Sequence, residues 1–263
     1  MSRHALRLTA LGYLTLLLLV PVAFVFYRAF GDGFGHAWDA VTTGRAVHAL
    51  ELTLLITAIT VPANTVVGII LALALVRGRF PGRGLLNAVV DLPLALSPVV
   101  VGLALYLLYG RGGWLGGLAG HGLKVLFAVP GMVLATMFVS LPFVVREVVP
   151  VLREIGTDQE QAAETLGARP FQVFRRITLP AIRWAVAYGV VLTTARAIGE
   201  FGAVSIVSGR IEGKTETLPI YVQSQYAFDF NTSGAYAASV VLALIAILTV
   251  VALRVFQPKE ETR

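Results

Sequence analysis

Two charges interrupt an apolar run that extends from about Ala181 to Val207. Arg196 and Glu200 are four residues apart, so on one helix they share a face. Counted from Arg183, Arg196 lies on the order of 20 Å and Glu200 about 25 Å along a helix. That places both in the outer half of a hydrocarbon core about 30 Å thick. An arginine at that depth is costly unless it is paired or reaches a polar cavity. The residues therefore have two readings: a structural ion pair, or an arginine that faces a translocation path and attracts an anion while Glu200 holds it in place. Thr193, Thr194 and Ser205 stand nearby, and their hydroxyls either line such a path or bond their own helix backbone. Other chemistry is missing. His4, His36, His48 and His121 are scattered over termini and loops, and no spacing gathers them into a metal site or sets one beside a nucleophile. There is no Walker sequence and no cysteine, which excludes a disulfide framework and thiolate ligands. No cofactor is expected in this chain.

The elements that must position the pair follow from composition. The 263 residues are 57% hydrophobic and 14% charged, with a mean hydropathy of +0.79, whereas soluble domains carry about 25% charged residues. An all-α integral membrane protein is expected, with room for about six crossings of roughly 20 residues. The apolar runs cover about Leu8–Tyr27, Leu50–Val76, Leu85–Tyr109, Pro130–Leu152, Ala181–Val207 and Ala235–Phe256. The first is too long for a signal-peptide core and lacks a small-residue cleavage pattern, so it reads as a retained crossing. Pro142 should kink the fourth. Asp91, near the start of the third, reads as an interfacial anchor. Arg3, Arg7, the arginines at 77, 79 and 83, the cluster from Arg146 to Arg183, and the C-terminal Arg254, Lys259 and Arg263 fall on one side of this arrangement. The positive-inside rule makes that side cytoplasmic, with both termini on it. The net charge of +6 is thus topological and needs no nucleic-acid partner.

One long polar stretch, Gln159 to Pro180, separates the fourth and fifth runs on the same side. Thr157 and Glu160 have the spacing of a capping box. Ala162, Ala163 and Leu166 share one helical face, with Glu160, Glu164 and Thr165 opposite. Gly167 suits the left-handed residue that ends a helix, and Pro170 the first turn of the next. The expected structure is a short helix, a turn and a second short helix.

Gln161-Ala162-Ala163, Gly167, Ile177 and Leu179-Pro180 resemble the "EAA" loop of binding-protein-dependent ABC-transporter permeases, with Gln161 at the family's usual Glu and the acid displaced to Glu160. Ala195–Val204, Val207–Ile211 and Gly213–Pro219, together with Asp91-Leu92-Pro93 and Ser97–Val100, are similar to the sulfate/thiosulfate branch of that family, and within it to the second, W-type permease subunit. The Gly199-Glu200-Phe201-Gly202 core occurs in molybdate permeases as well. The resemblance spans residues 48–252 and implies a type I ABC importer permease fold, with residues 1–47 adding a tail, first crossing and external loop, and 253–263 a cytoplasmic tail. It implies that Glu160, Gln161, Ala162, Ala163, Leu166 and Gly167 form a coupling helix docking on a cytoplasmic ATPase, and makes Arg196, Glu200 and Ser205 candidates for the path or gate. It also implies partners: a second related permease, two ATPase subunits that bind the ATP, and an external sulfate-binding protein. The chain itself is expected to be non-catalytic and to lie in the inner membrane. The 214–221 segment is either a contact for the external protein or a connector. A molybdate or tungstate permease and an ATP-independent secondary anion transporter are the alternatives, and an ATPase-docking helix has no use in the second.

Overall fold

The apolar runs become helices, and the turn residues between them set where each stops. The computed structural model describes residues 3–117 and 124–256, among which there is no strand. In chain order the helices are α1 (Ala5–Ala29), α2 (Phe34–Val41), α3 (Gly44–Arg77), α4 (Arg83–Ala95), α5 (Pro98–Tyr109) and α6 (Val129–Glu154). They are followed by α7 (Asp158–Thr165), α8 (Pro170–Ile198), α9 (Gly202–Val207), α10 (Leu218–Ala227) and α11 (Thr232–Phe256). Among the described residues α1, α3, α6, α8 and α11 are long and apolar enough to cross a bilayer, and the bent pair α4–α5 makes a sixth if it counts as one span.

Two of the expected crossings differ from the reading of the sequence. The run Leu85–Tyr109 is not one straight helix: α4 and α5 meet at 111°. Leu96 and Ser97 are extended at the break, with ψ of 141° and 134°, because a residue before proline is pushed out of the helical region and Pro98 has no N–H to continue the ladder. The run Ala181–Val207 likewise ends early, at Ile198, and restarts as the separate α9. By contrast α6 continues through Pro142 and Pro150 as one helix.

The chain divides into two compact units. One takes the residues up to Leu52 together with Glu212–Ile245. Its core joins Ala46 and Ala49 of α3 to Leu218 and Tyr221 of α10 and Ala238 of α11. Beside it, Arg45 donates through Nε and Nη2 to both carboxylate oxygens of Glu216 at 2.8 Å each, and through Nη1 to Asp229 at 2.9 Å. The Glu216 side chain is only 2% exposed, so this bidentate pairing is what makes its burial tolerable.

The other unit takes Thr53–Ile211 and the end of α11. Its axis is α6, whose Val144, Val145, Val148, Val149 and Leu152 are buried with Ala72 and Leu75 of α3, Val90 of α4 and Ile182 of α8. Glycines set the spacing: a Cβ added at Gly68 of α3 or Gly189 of α8 would come within 2.8 Å of Val144. Small residues at helix contacts let backbones approach closely where lipid offers no hydrophobic drive for association. Asn64 of α3 adds hydrogen bonds from Nδ2 to the Met137 carbonyl and to Ser140 Oγ, both at 2.9 Å. Through these contacts α3, α6 and α8 are held as a group.

Candidate functional site

The polar loop forms the expected pair of short helices, α7 and the start of α8. Gly167 has φ of +83°, and Pro170 opens α8. The Gly167 N–H donates to the Glu164 carbonyl and the Ala168 N–H to that of Ala163, closing the turn. Arg169 N–H donates to Gln172 Oε1 at 2.9 Å and secures the second helix.

The expected Thr157–Glu160 capping box does not form. Thr157 Oγ1 instead accepts from Gln161 Nε2 at 2.8 Å. Glu160 turns inward: its carboxylate pairs with Arg77 Nε at 2.9 Å and accepts from Thr178 Oγ1 at 2.8 Å. Arg77, the last residue of α3, also donates to the carbonyl of Leu152 in the last turn of α6 and to that of Gly156 just beyond it, at 3.1 and 2.5 Å. A charged clamp outcompeted the local cap because it satisfies C-terminal carbonyls of α6 and the Arg77 guanidinium together. The result is that α7 is tied to the C-terminal ends of α3 and α6 and to Thr178 within α8. Leu166 is left 88% exposed and Phe171 71% exposed, with Ala162 exposed and Ala163 half-buried beside them. The apolar side of this loop has no partner within the described chain.

Arg196 and Glu200 are brought together as an ion pair, although Glu200 lies beyond the end of α8. Glu200 Oε1 also accepts the Ala203 N–H at 2.8 Å, so its carboxylate caps the first turn of α9. Glycines let α9 settle on α5: a Cβ at Gly202 would stand 2.8 Å from Pro98 Cβ, and one at Gly102 would stand 2.6 Å from the Ala203 carbonyl. The Gly199-Glu200-Phe201-Gly202 sequence is thus a turn whose acid caps one helix and pairs with the helix before it. The Glu200 side chain is 1% exposed, whereas that of Arg196 is 28% exposed, so the pair is buried on the acid's side and partly open on the arginine's. Ser205 is buried and donates to the Gly202 carbonyl at 2.9 Å. Thr194 donates to Val190 in the same backbone-directed way.

The family profile described as the binding-protein-dependent transport system inner membrane component matches residues 64–262. The chain belongs to that family. It is 52% identical to the sulfate transport system permease protein CysW of Synechocystis sp. over 95% of this chain and 90% of that protein. Against the sulfate transport system permease protein CysT of Salmonella typhimurium it is 40% identical, covering 91% of this chain and 87% of that protein. Its fold matches the crystal structure of a bacterial ABC transporter involved in import of the polysaccharide alginate, with a TM-score of 0.79 over 97% of this chain and 96% of that one, at 18% identity. The architecture is therefore that of a type I ABC importer permease, a multi-pass membrane component.

Reading the sequence of this permease missed two charged groups that the fold assembles. Arg77 counted only toward topology, and its pairing with Glu160 joins positions 83 residues apart. Arg146, also counted only as a topological charge, donates through Nε to Asp91 Oδ1 at 2.6 Å and pairs with the second carboxylate oxygen. Asp91, read from the sequence as an interfacial anchor, is held by this arginine of α6. The only available signal for either was a charged residue at the edge of, or inside, an apolar run.

Proposed function

We propose that this chain is the W-type permease subunit of an ATP-driven sulfate/thiosulfate importer. The single observation that carries the reading is its 52% identity to a W-type sulfate permease over nearly the whole chain, against 40% to a T-type one. On this reading a T-type permease completes the path, two ATPase subunits bind and hydrolyse ATP, and an external binding protein delivers the anion. The loop 155–180 and both termini are cytoplasmic, in accord with the arginine distribution.

The geometry supports a coupling route. Leu166 and Phe171, with Ala162 and Ala163, enter a cleft on the ATPase and bury apolar surface there. Glu160 does not contact the ATPase; it transmits. Closure of the ATPases pulls α7, and the Glu160–Arg77 clamp passes that pull to the ends of α3 and α6, while Thr178 passes it to α8. Those three helices move together because Gly68, Gly189 and Asn64 lock them around α6. Movement of α8 carries Arg196, whose partly exposed side chain attracts the anion while Glu200 fixes its rotamer. Ser205 supports α9 through its backbone bond.

The test is co-purification and transport. A Leu166→Asp chain is expected to insert normally, because that side chain is 88% exposed, but to lose both its ATPase and sulfate uptake in vesicles. Retention of both by Leu166→Asp refutes the docking role.

A further inference from the structure

Arg146 lies eight residues before the end of α6, on the order of 12 Å inside that end, in the inner half of a core about 30 Å thick. Over residues 142–150 only Phe143, Arg146, Glu147 and Pro150 are left open, and their spacing puts them on one face. Charges in hydrocarbon are heavily penalised, so a face of this kind is paired or turned to the polar interior of the assembly. The Arg146 fork is filled by a carboxylate: Nε donates to Asp91 Oδ1 at 2.6 Å, Nη2 pairs with Oδ2, and Nη2 also reaches Asn87 Oδ1 at 3.1 Å. Two oxygens of a tetrahedral dianion can take the same two donor positions.

The two residues that fill the fork, Asp91 and Asn87, sit on α4, the limb of the broken span on the near side of the 111° bend. Release of the fork requires α4 to shift at the extended Leu96-Ser97 link, a movement that also carries Val90 relative to the α6 core and withdraws both ligands from Arg146. With Asp91 in place, Asp91 and Glu147 outweigh Arg146 and the face repels anions. With Asp91 withdrawn, a free guanidinium faces the path.

We propose that Arg146 is a second anion-binding residue of this permease, on the inner half of the path, and that Asp91 occupies its guanidinium as an internal anion until the transported tetrahedral dianion replaces it. The inference rests on the reading of the chain as an oxyanion permease. A dianion released from the neighbourhood of Arg196 in the outer half then meets a second cationic position before it leaves.

The experiment uses the complete complex, with its paired permease, ATPases and binding protein, in vesicles. The double variant Asp91→Asn with Arg146→Gln replaces the charged pair by two amides that can still hydrogen-bond, and co-purification of the ATPases checks its assembly. The expected result is an assembled complex whose ATP-driven sulfate uptake falls about tenfold or more, the factor set by losing a charge-assisted hydrogen bond to the anion. Near-normal uptake by the double variant makes the pair purely structural and overturns the proposal. As a second measurement, Asp91→Asn alone should raise ATP-independent leak of preloaded sulfate several-fold, and unchanged leak overturns the latch. Failure of the wild type to carry sulfate is a failure of the functional reading instead; the same comparison is then made on whichever of thiosulfate or molybdate the wild type carries.

Discussion

Replacing Glu160 by Gln removes one charge from the clamp and almost nothing from its shape. The Glu160 side chain is 16% exposed and that of Arg77 is 20% exposed, so solvent screens the pair only in part. Glutamine can still accept from Thr178, whereas the contact with Arg77 becomes a neutral acceptor facing a cation. Arg77 keeps the Leu152 and Gly156 carbonyls, which places the cost below the about 3–5 kcal/mol of stranding a buried charge. Hydrogen bonds to charged groups contribute about 1.5–3 kcal/mol and neutral ones about 0.5–1.5 kcal/mol. The difference over this contact is about 1.3 kcal/mol, or roughly tenfold in the ratio of anchored to released α7. The proposed ATPase contact is untouched, because Leu166 and Phe171 lie on the exposed side of the loop. Glu160→Gln is therefore expected to co-purify its ATPases and to hydrolyse ATP, while the sulfate moved per ATP in vesicles falls several-fold. Exchanging the partners, Arg77→Glu with Glu160→Arg, should recover part of that ratio. A wild-type sulfate-to-ATP ratio in Glu160→Gln refutes the clamp as the transmitting contact.

Three further outcomes are expected. Gly167→Val forces a β-branched residue to φ of +83° although its Cβ would meet nothing within 4 Å, so the penalty is backbone strain of about 1–3 kcal/mol; binding of the ATPases should weaken, and Gly167→Asn, which tolerates that φ, should bind them normally. Arg196→Ala is expected to abolish uptake in an assembled complex. If the double change Arg196→Ala with Glu200→Ala transports better than Arg196→Ala alone, the pair is structural and the anion-attracting role fails. For topology, the natural absence of cysteine gives a clean background for single-cysteine labelling: Lys214→Cys should react with an impermeant maleimide added outside, and Leu166→Cys only after the membrane is opened. Labelling of both from outside contradicts the assigned orientation.

What could be read from the sequence was local, and what could not was distant. The turn at Gly167 and Pro170 needed only the conformational preferences of those two residues, and both stand as expected. The cap at Thr157 was also a local reading, and it failed because a partner 83 residues away, Arg77, takes the Glu160 carboxylate. Hydropathy merged α4 with α5 and α8 with α9, since the broken spans are as apolar as unbroken ones. The interrupting signals were present, in Ser97-Pro98 and in Gly199 and Gly202, but composition alone does not show whether a helix survives them; α6 runs through Pro142 and Pro150 while the span at Pro98 breaks. The pairing of Arg45 with Glu216 spans 171 residues and has no local trace. At the Arg196–Glu200 pair, spacing gave the ion pair, and only the fold revealed that Glu200 also caps α9.

The central claim is that this permease couples ATP hydrolysis in a partner to movement of sulfate, and accumulation in vesicles tests it most directly. The complex of this chain with its paired permease and ATPases is reconstituted with ATP inside, and binding protein and labelled sulfate are supplied outside. The account predicts that internal sulfate rises above the external concentration only when both ATP and binding protein are present, and that Leu166→Asp abolishes the rise. Accumulation that proceeds without ATP under an imposed proton gradient, or that occurs with molybdate and not with sulfate or thiosulfate, contradicts it.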